Sequence, residues 1–120
     1  MTGLLRALPW HARSGQVYLP ADVLKAHGVT REDIVAGRGG PGLLGACADM
    51  RALVRRHLAA YATERATIAS VAAPAFLPVA LVEGYLAQME RPGYDPLTSV
   101  IEVPNWRRIW RLWRAAQSVK

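Results

Sequence analysis

The sequence predicts an all-α protein, a bundle of about five helices of which roughly three are substantial. Alanine, leucine, valine and arginine dominate the composition, and that mixture favours helices over strands. Apolar residues recur every three or four positions through the longest stretches, which places them on one face of a helix. Glycines and prolines fall between these stretches and mark where the helices begin and end.

The first third of the chain predicts one helix followed by two short ones. Thr2 to Arg13 forms a helix with its leucines on one side. Pro20 suits the first turn of the next helix, and Gly28 suits its C-terminal stop. Thr30 and Asp33 have the spacing of a capping box, so a further short helix is expected to begin there.

A glycine-rich segment precedes the longest predicted helix. Gly37 to Gly42 predicts a flexible loop, and it lacks both the GK[ST] ending and the preceding strand of a phosphate-binding loop. A long helix is expected to follow this loop. Its predicted buried seam has steps of three, four and seven residues and consists of Leu43, Cys47, Met50, Val54, His57, Tyr61 and Ile68.

The last third predicts two further helices. Phe76 to Met89 reads as a second apolar helix, and Arg91 to Val103 as an irregular connection with two prolines. The final helix is expected to begin near Pro104, which fits a first helical turn, and to run to about Gln117. Several seams are broad and apolar, so the bundle on its own would expose large apolar patches. We therefore expect a protein partner or an upstream half of the fold to complete the core.

Composition limits where the protein works and what it binds. Lys and Arg outnumber Asp and Glu by 15 to 9, a net charge of +6, which either attracts an anionic partner or is a solvated surface. The single Cys47 excludes an intrachain disulfide, and its apolar setting predicts a buried structural thiol. The uncharged stretch from Ala66 to Val82 is short and contains prolines, so we interpret it as a buried helix pair rather than a membrane span. The start of the sequence has no signal-peptide pattern, and we expect a cytoplasmic location.

The titratable residues form no recognisable catalytic pattern. None of His11, His27 and His57 has a second histidine or carboxylate at the spacing of a metal-binding helix face. No GxSxG nucleophile motif occurs, and the carboxylates include no DxxxD or DDxxD pair. Because Mg²⁺ bound to a diphosphate needs several carboxylates converging on one face, the sequence predicts no metal and no other cofactor.

The stretch from Gly3 to Leu24, GLLRALPWHARSGQVYLPADVL, resembles the second aspartate-rich motif of the squalene/phytoene synthase family. Enzymes of this family are all-α and join two prenyl diphosphates head to head with Mg²⁺, and their motif reads approximately NxxRDxxEDxxxGRxYLP. The matching positions are Arg6, Gly15, Tyr18, Leu19 and Pro20. The acidic positions hold Ala7, Trp10 and His11 instead. The resemblance therefore implies a site without its catalytic residues, and makes Arg6 and Tyr18 candidate binding residues.

A second similarity to this family lies in Ala75 to Arg91, AFLPVALVEGYLAQMER. Together the two stretches imply that residues 1–120 form a single partial domain, the C-terminal half of an isoprenoid-synthase-like bundle. The sequence is most similar to the branch that contains the mitochondrial complex I assembly factor and its bacterial relatives. That similarity rests on Leu5, Arg6, Pro9, His11, Leu19, Pro20, Asp22, His27, Gly28 and Val29.

The resemblance implies one of two functions. The favoured one is a non-catalytic assembly or interaction factor near a membrane, which binds a protein partner, a missing N-terminal half or a prenyl lipid. The alternative is the C-terminal part of a head-to-head prenyl diphosphate transferase in isoprenoid biosynthesis, which would use Mg²⁺. Similarity of fold does not decide between them.

The predicted last helix carries a second group of candidate binding residues. Trp106, Trp110 and Trp113 share one face, and the rest of the helix carries Arg107, Arg108, Arg111 and Arg114. Such a helix suits an anionic membrane, which would make the protein peripheral to the inner membrane. The other interpretation packs the tryptophans onto the bundle and leaves the arginines solvated. No nucleic-acid-binding module accompanies the charge, so nucleic acid is not an expected partner.

Overall fold

The described part of the chain is helical. A computed structural model describes residues 1–68 and 71–117, and no strand occurs within those ranges. The predicted all-α class is confirmed. The α-helices in these ranges are α1 (Thr2–Arg13), α2 (Ala21–Ala26), α3 (Arg31–Val35), α4 (Gly40–Glu64), α5 (Val82–Met89) and α6 (Asn105–Gln117). Two 3-10 segments lie between α4 and α5, at Arg65–Thr67 and Ala73–Leu81.

The predicted helix boundaries in the first third are confirmed, except that Pro20 stands immediately before α2 and not in its first turn. The Thr30 hydroxyl accepts a hydrogen bond from the backbone N–H of Asp33 at 3.1 Å, and the Asp33 carboxylate accepts one from the Thr30 N–H at 3.3 Å. This is the reciprocal capping box that the sequence predicts for the start of α3. Gly28, just after α2, has a φ of 65°, a left-handed conformation that a glycine adopts without steric cost.

Helix α4 begins earlier and buries a shorter seam than the sequence predicts. Residues 40 to 42 belong to the helix and not to the predicted loop, because Pro41 is tolerated in a first turn where its missing N–H needs no partner. The buried side chains of α4 end at Val54. His57 is exposed and Ile68 lies beyond the helix, so the predicted seam is wrong at these two positions.

The predicted helix Phe76–Met89 is two elements. Its first part belongs to the 3-10 segment Ala73–Leu81, and only the remainder forms α5. Pro78 has no N–H to donate and its ring clashes with the carbonyl four residues earlier, so an α-helix through this position is disfavoured. The prediction of one continuous α-helix is therefore wrong here.

The connection and the final helix follow the prediction. No helix occurs between α5 and α6, where an irregular connection was expected. Helix α6 begins at Asn105, and the carbonyl of Pro104 accepts hydrogen bonds from the N–H groups of Arg107 and Arg108 at 2.9 and 3.1 Å. Pro104 thus stands immediately before the helix, one position earlier than the predicted first turn.

One hydrophobic core joins the helices and the connection before α6. Cys47 belongs to it, and burial raises the pKa of this thiol to about 11, so it stays neutral at physiological pH. The predicted buried structural thiol is confirmed. Side chains with almost no exposure include Leu5, Leu8, Ile34, Leu43, Leu86 and Met89.

The uncharged stretch from Ala66 to Val82 does not form the predicted helix pair. Positions 69 and 70 of this stretch lie outside the described residues. Its other residues lie mainly in the two 3-10 segments. Across residues 1–68 and 71–117, no helix combines the length and the apolar content that crossing a bilayer requires.

Candidate functional site

Helix α1 carries non-acidic side chains at the positions where the family motif is acidic. Trp10 is 51% exposed, and Ala7 and His11 are half-buried. The sequence of α1, TGLLRALPWHAR, contains no Asp or Glu. A hard cation is bound by carboxylate and carbonyl oxygens, whereas these three positions offer an indole, an imidazole and a methyl group. The side chains of α1 therefore do not fit a Mg²⁺ ion.

Arg6 is held by an aromatic ring. Its Cζ lies 4.0 Å from the centre of the Tyr85 ring on α5, which is a cation–π contact. The Arg6 Nε atom is buried and has no hydrogen-bond partner among the described residues. Because Tyr85 is itself buried, the contact joins α1 to α5 and fixes the guanidinium against the core.

Tyr18 lies at the surface beside α1. Its ring is edge-on to the His11 ring, with 4.8 Å between the ring centres. The Tyr18 side chain is exposed to solvent. The structure thus brings two of the sequence-predicted site residues into contact, and they form a surface pair next to the end of α1.

Two carboxylates, Glu83 on α5 and Glu90 immediately after it, are engaged by arginines of α4. Arg55 Nη2 donates hydrogen bonds to Glu83 Oε1 and to Glu90 Oε2, each at 2.9 Å. The hydrogen bonds from Arg55 hold the pKa of Glu90 below its usual value. Arg51 Nε lies 3.7 Å from Glu90 Oε1. Within the described ranges, no group of three or more His, Cys, Asp and Glu side chains could hold a metal ion.

The three tryptophans of α6 point away from the bundle. Trp106, Trp110 and Trp113 are 65%, 51% and 60% exposed, and Ile109 is 67% exposed. We call these four side chains the tryptophan stripe. Their packing onto the bundle, which the sequence left open, is therefore ruled out for the described residues. The guanidinium Cζ atoms of the flanking arginines lie 5.0 and 5.3 Å from indole ring centres, in the pairs Arg107–Trp106 and Arg114–Trp110.

Helix α6 attaches to the bundle through the side that carries Arg111 and Leu112. Leu112 packs against the core, and the helix lies along the 3-10 segment Ala73–Leu81. The Arg111 guanidinium crosses over Gly84 of α5 so closely that a Cβ there would lie 2.9 Å from its Cζ. A side chain at position 84 would therefore displace Arg111. This arrangement turns the tryptophan stripe outward, opposite to the usual orientation of an amphipathic helix.

Sequence reasoning missed Gly84 and Arg91. Both line a cleft between α5 and α6 that also receives Arg107 and Arg111. Residues 84, 87, 88 and 91 have helical spacing, and that spacing was the available signal for a shared face. The spacing does not show that α5 and α6 face each other, so it could not predict the cleft between them.

An apolar groove lies between the start of α1, α4 and the 3-10 segment Ala73–Leu81. It has a volume of about 310 Å³. The Tyr61 and Phe76 rings stack in it, with 5.4 Å between their centres. The lining also includes Val54, Leu58, Val79 and Val82. Apolar side chains thus form most of the lining of this groove.

The fold and the α1 motif define a helical bundle of the isoprenoid-synthase type. The chain belongs to the squalene/phytoene synthase family, whose family model matches residues 1–114. No solved structure matches the chain significantly.

The curated relatives fall into two kinds. Assembly factor 6 of NADH dehydrogenase (ubiquinone) complex I from Mus musculus is 32% identical over 91 residues, which cover 76% of this chain and 27% of the relative. The Homo sapiens protein of the same name is 30% identical over 91 residues. Phytoene synthase from Thermus thermophilus is 34% identical over 112 residues, which cover 90% of this chain and 37% of the relative. The chain thus spans between about a quarter and two fifths of the length of the relatives it matches.

Proposed function

We propose that this chain is a non-catalytic member of the squalene/phytoene synthase family that acts as an assembly or interaction factor at a membrane surface. The observation that carries the proposal is the composition of α1, which has Ala7, Trp10 and His11 at the motif's acidic positions. Without those carboxylates, α1 cannot hold the Mg²⁺ ions that would neutralise a diphosphate. The name of the mammalian relatives, complex I assembly factor 6, agrees with such a role.

The contacts of the remaining motif residues support the same proposal. Arg6, the motif's arginine, is engaged with the Tyr85 ring and faces the core. Tyr18 rests on His11 at the surface. These contacts give both side chains a structural role that requires neither a metal nor a diphosphate.

The proposed membrane contact is the tryptophan stripe. Exposed indoles favour the headgroup region of a bilayer, and Arg107 and Arg114, which lie beside two of these indoles, favour anionic phosphates. A protein held in this way is peripheral to the membrane, with α6 lying in its plane. The location proposed for this protein is therefore the cytoplasmic surface of the inner membrane.

The proposed protein contact is the apolar groove. Its aromatic and aliphatic lining suits packing against a helix of a partner protein or of an N-terminal half of the fold. A prenyl lipid is the small-molecule occupant that the same lining would accept.

A second function rests on a specific observation. The similarity to phytoene synthase covers 90% of this chain, more than the similarity to the mammalian assembly factors. Under this alternative the chain is the C-terminal part of a prenyl diphosphate transferase, and Mg²⁺ is its cofactor. The substitutions in α1 weigh against it.

Calorimetric titration with farnesyl diphosphate, in Mg²⁺ and then in EDTA, tests whether this chain binds a diphosphate through Mg²⁺. We expect the natural chain to give the same affinity in both buffers, because it has no carboxylates on α1 to bind the ion. A tenfold or greater tightening by Mg²⁺ would refute the non-catalytic proposal and support the transferase.

A variant pair controls this experiment. Ala7→Asp, Trp10→Glu and His11→Asp together restore the acidic motif, and Ala7→Asn, Trp10→Gln and His11→Asn match them in shape without charge. A Mg²⁺ dependence that appears only in the acidic variant assigns the difference to the three carboxylates. A Mg²⁺ dependence in the amide variant contradicts that assignment.

A further inference from the structure

A cleft between α5 and α6 is lined by three arginines. Helix α5 and the residues after it contribute Gly84, Gln88 and Arg91, and α6 contributes Arg107 and Arg111. The cleft has a volume of about 110 Å³, the space of roughly three or four waters. It is therefore large enough for a small anion and too small for a folded peptide segment.

The backbone of α5 leaves room for the Arg111 side chain at Gly84. Gly84 is buried and has no Cβ, and the Arg111 guanidinium occupies the space that a Cβ would need. Leu112, the next residue along α6, packs against the core. Arg111 is thus half-buried against α5, which restricts its side chain and lowers the entropy lost on binding.

The arginines of this cleft differ from Arg51 and Arg55 of α4 in having no carboxylate partner. On α4, Arg55 donates hydrogen bonds to the carboxylates of both Glu83 and Glu90. Within residues 1–68 and 71–117, no ion pair joins a carboxylate to any of the three arginines of the cleft. Three like charges around one small cleft repel one another, and an anion between them would remove that repulsion.

The start of α6 adds to this positive field. The first turn of α6 contains no acidic residue, and it places Arg107 at the end of the helix that carries the positive pole of its dipole. A cation is disfavoured at this end and an anion is favoured. The helix dipole and the three guanidinium groups therefore favour the same kind of ligand.

We infer that the cleft between α5 and α6 binds a phosphate group. Guanidinium donors match phosphate oxygens in pairs, and several arginines can share one phosphate. The Arg107 guanidinium also contacts Trp106, so the cleft borders the tryptophan stripe. The phosphate belongs either to a lipid headgroup or to a soluble phosphate ester. Only the lipid source rests on the membrane contact proposed above.

Titration of the 120-residue chain with inorganic phosphate tests the site. We expect saturable binding that weakens at least tenfold in the double variant Arg107→Gln, Arg111→Gln. The matched control is Arg13→Gln, Arg56→Gln, which removes the same charge from two exposed arginines elsewhere. Control binding should stay within about twofold, because screening limits long-range effects at physiological salt. Equal weakening in both double variants, or no saturable binding by the natural chain, would overturn the inference.

Vesicle binding then identifies the source of the phosphate. Phosphatidic acid presents a phosphate monoester and phosphatidylglycerol a diester, and the two vesicle types are prepared at equal surface charge. If the source is a lipid, the natural chain prefers the monoester and the cleft variant loses that preference. If the cleft variant loses free phosphate but keeps the natural chain's ratio of monoester to diester binding, the ligand is a soluble phosphate ester. A natural chain that binds free phosphate but no vesicle contradicts the membrane proposal and leaves the phosphate site intact.

Discussion

Replacing the tryptophan stripe tests whether α6 binds a membrane. The perturbation is the triple variant Trp106→Ser, Trp110→Ser, Trp113→Ser. A tryptophan has up to about 250 Å² of surface, so these indoles, 51% to 65% exposed, each leave roughly 130 to 160 Å² in water. At about 25 cal/mol per Å², burying half of that area is worth roughly 1.5 to 2 kcal/mol for each indole.

The three indoles together contribute about 5 kcal/mol to membrane binding by this reasoning. Ordering of the side chains offsets part of it, so we expect the triple variant to bind at least about a hundredfold more weakly. The assay is co-sedimentation with vesicles of phosphatidylglycerol and phosphatidylcholine. Binding by the natural chain should also fall as salt rises, because the arginines contribute through screened charge.

The chain supplies a matched control in Trp10, which is 51% exposed like Trp110 but lies on α1. Trp10→Ser should keep nearly all vesicle binding. Because the stripe is solvent-exposed, the triple variant should also change the free energy of unfolding by no more than about 0.5 kcal/mol for each site. Full vesicle binding by the triple variant, or equal loss with Trp10→Ser, would refute the membrane contact. A large loss of stability would show that the indoles pack within the protein.

Two further predictions concern stability. Leu86 on α5 has no solvent exposure, so Leu86→Ala should lower the free energy of unfolding by about 2 to 5 kcal/mol in urea denaturation; a loss below 1 kcal/mol would contradict the described core. Arg55→Met removes the partner of Glu83 and Glu90, and should cost about 1 kcal/mol at pH 7 because these groups are partly exposed. The pKa of Glu90 is lower in the folded state, so the ion pair's contribution is present above the unfolded pKa near 4.5 and is lost as pH falls through the folded value. The stability gap between the natural chain and Arg55→Met should therefore narrow below pH 4.5, and a gap that stays constant to pH 3 would show that Glu90 is not its source.

The sequence could predict only those features of the candidate site that depend on residues close together in the chain. The absence of acidic residues from α1 is visible in the sequence, and it carries the proposed function. The contact of Arg6 with Tyr85 joins residues far apart in the chain, and their spacing in the sequence does not predict it. The arginine cleft was missed for the same reason, since it exists only because α5 and α6 face each other.

The sequence by itself determined the helical class, most helix boundaries and part of the core. Capping by Thr30 and the left-handed Gly28 are properties of a few neighbouring residues, so local chemistry was sufficient to predict them. Helical spacing also determined that the tryptophans of α6 share one face. Spacing could not determine which way that face points, because the direction depends on the surface that receives the helix. Gly84 provides room for Arg111 and Leu112 packs against the core, so this side of α6 faces the bundle and the indoles face outward.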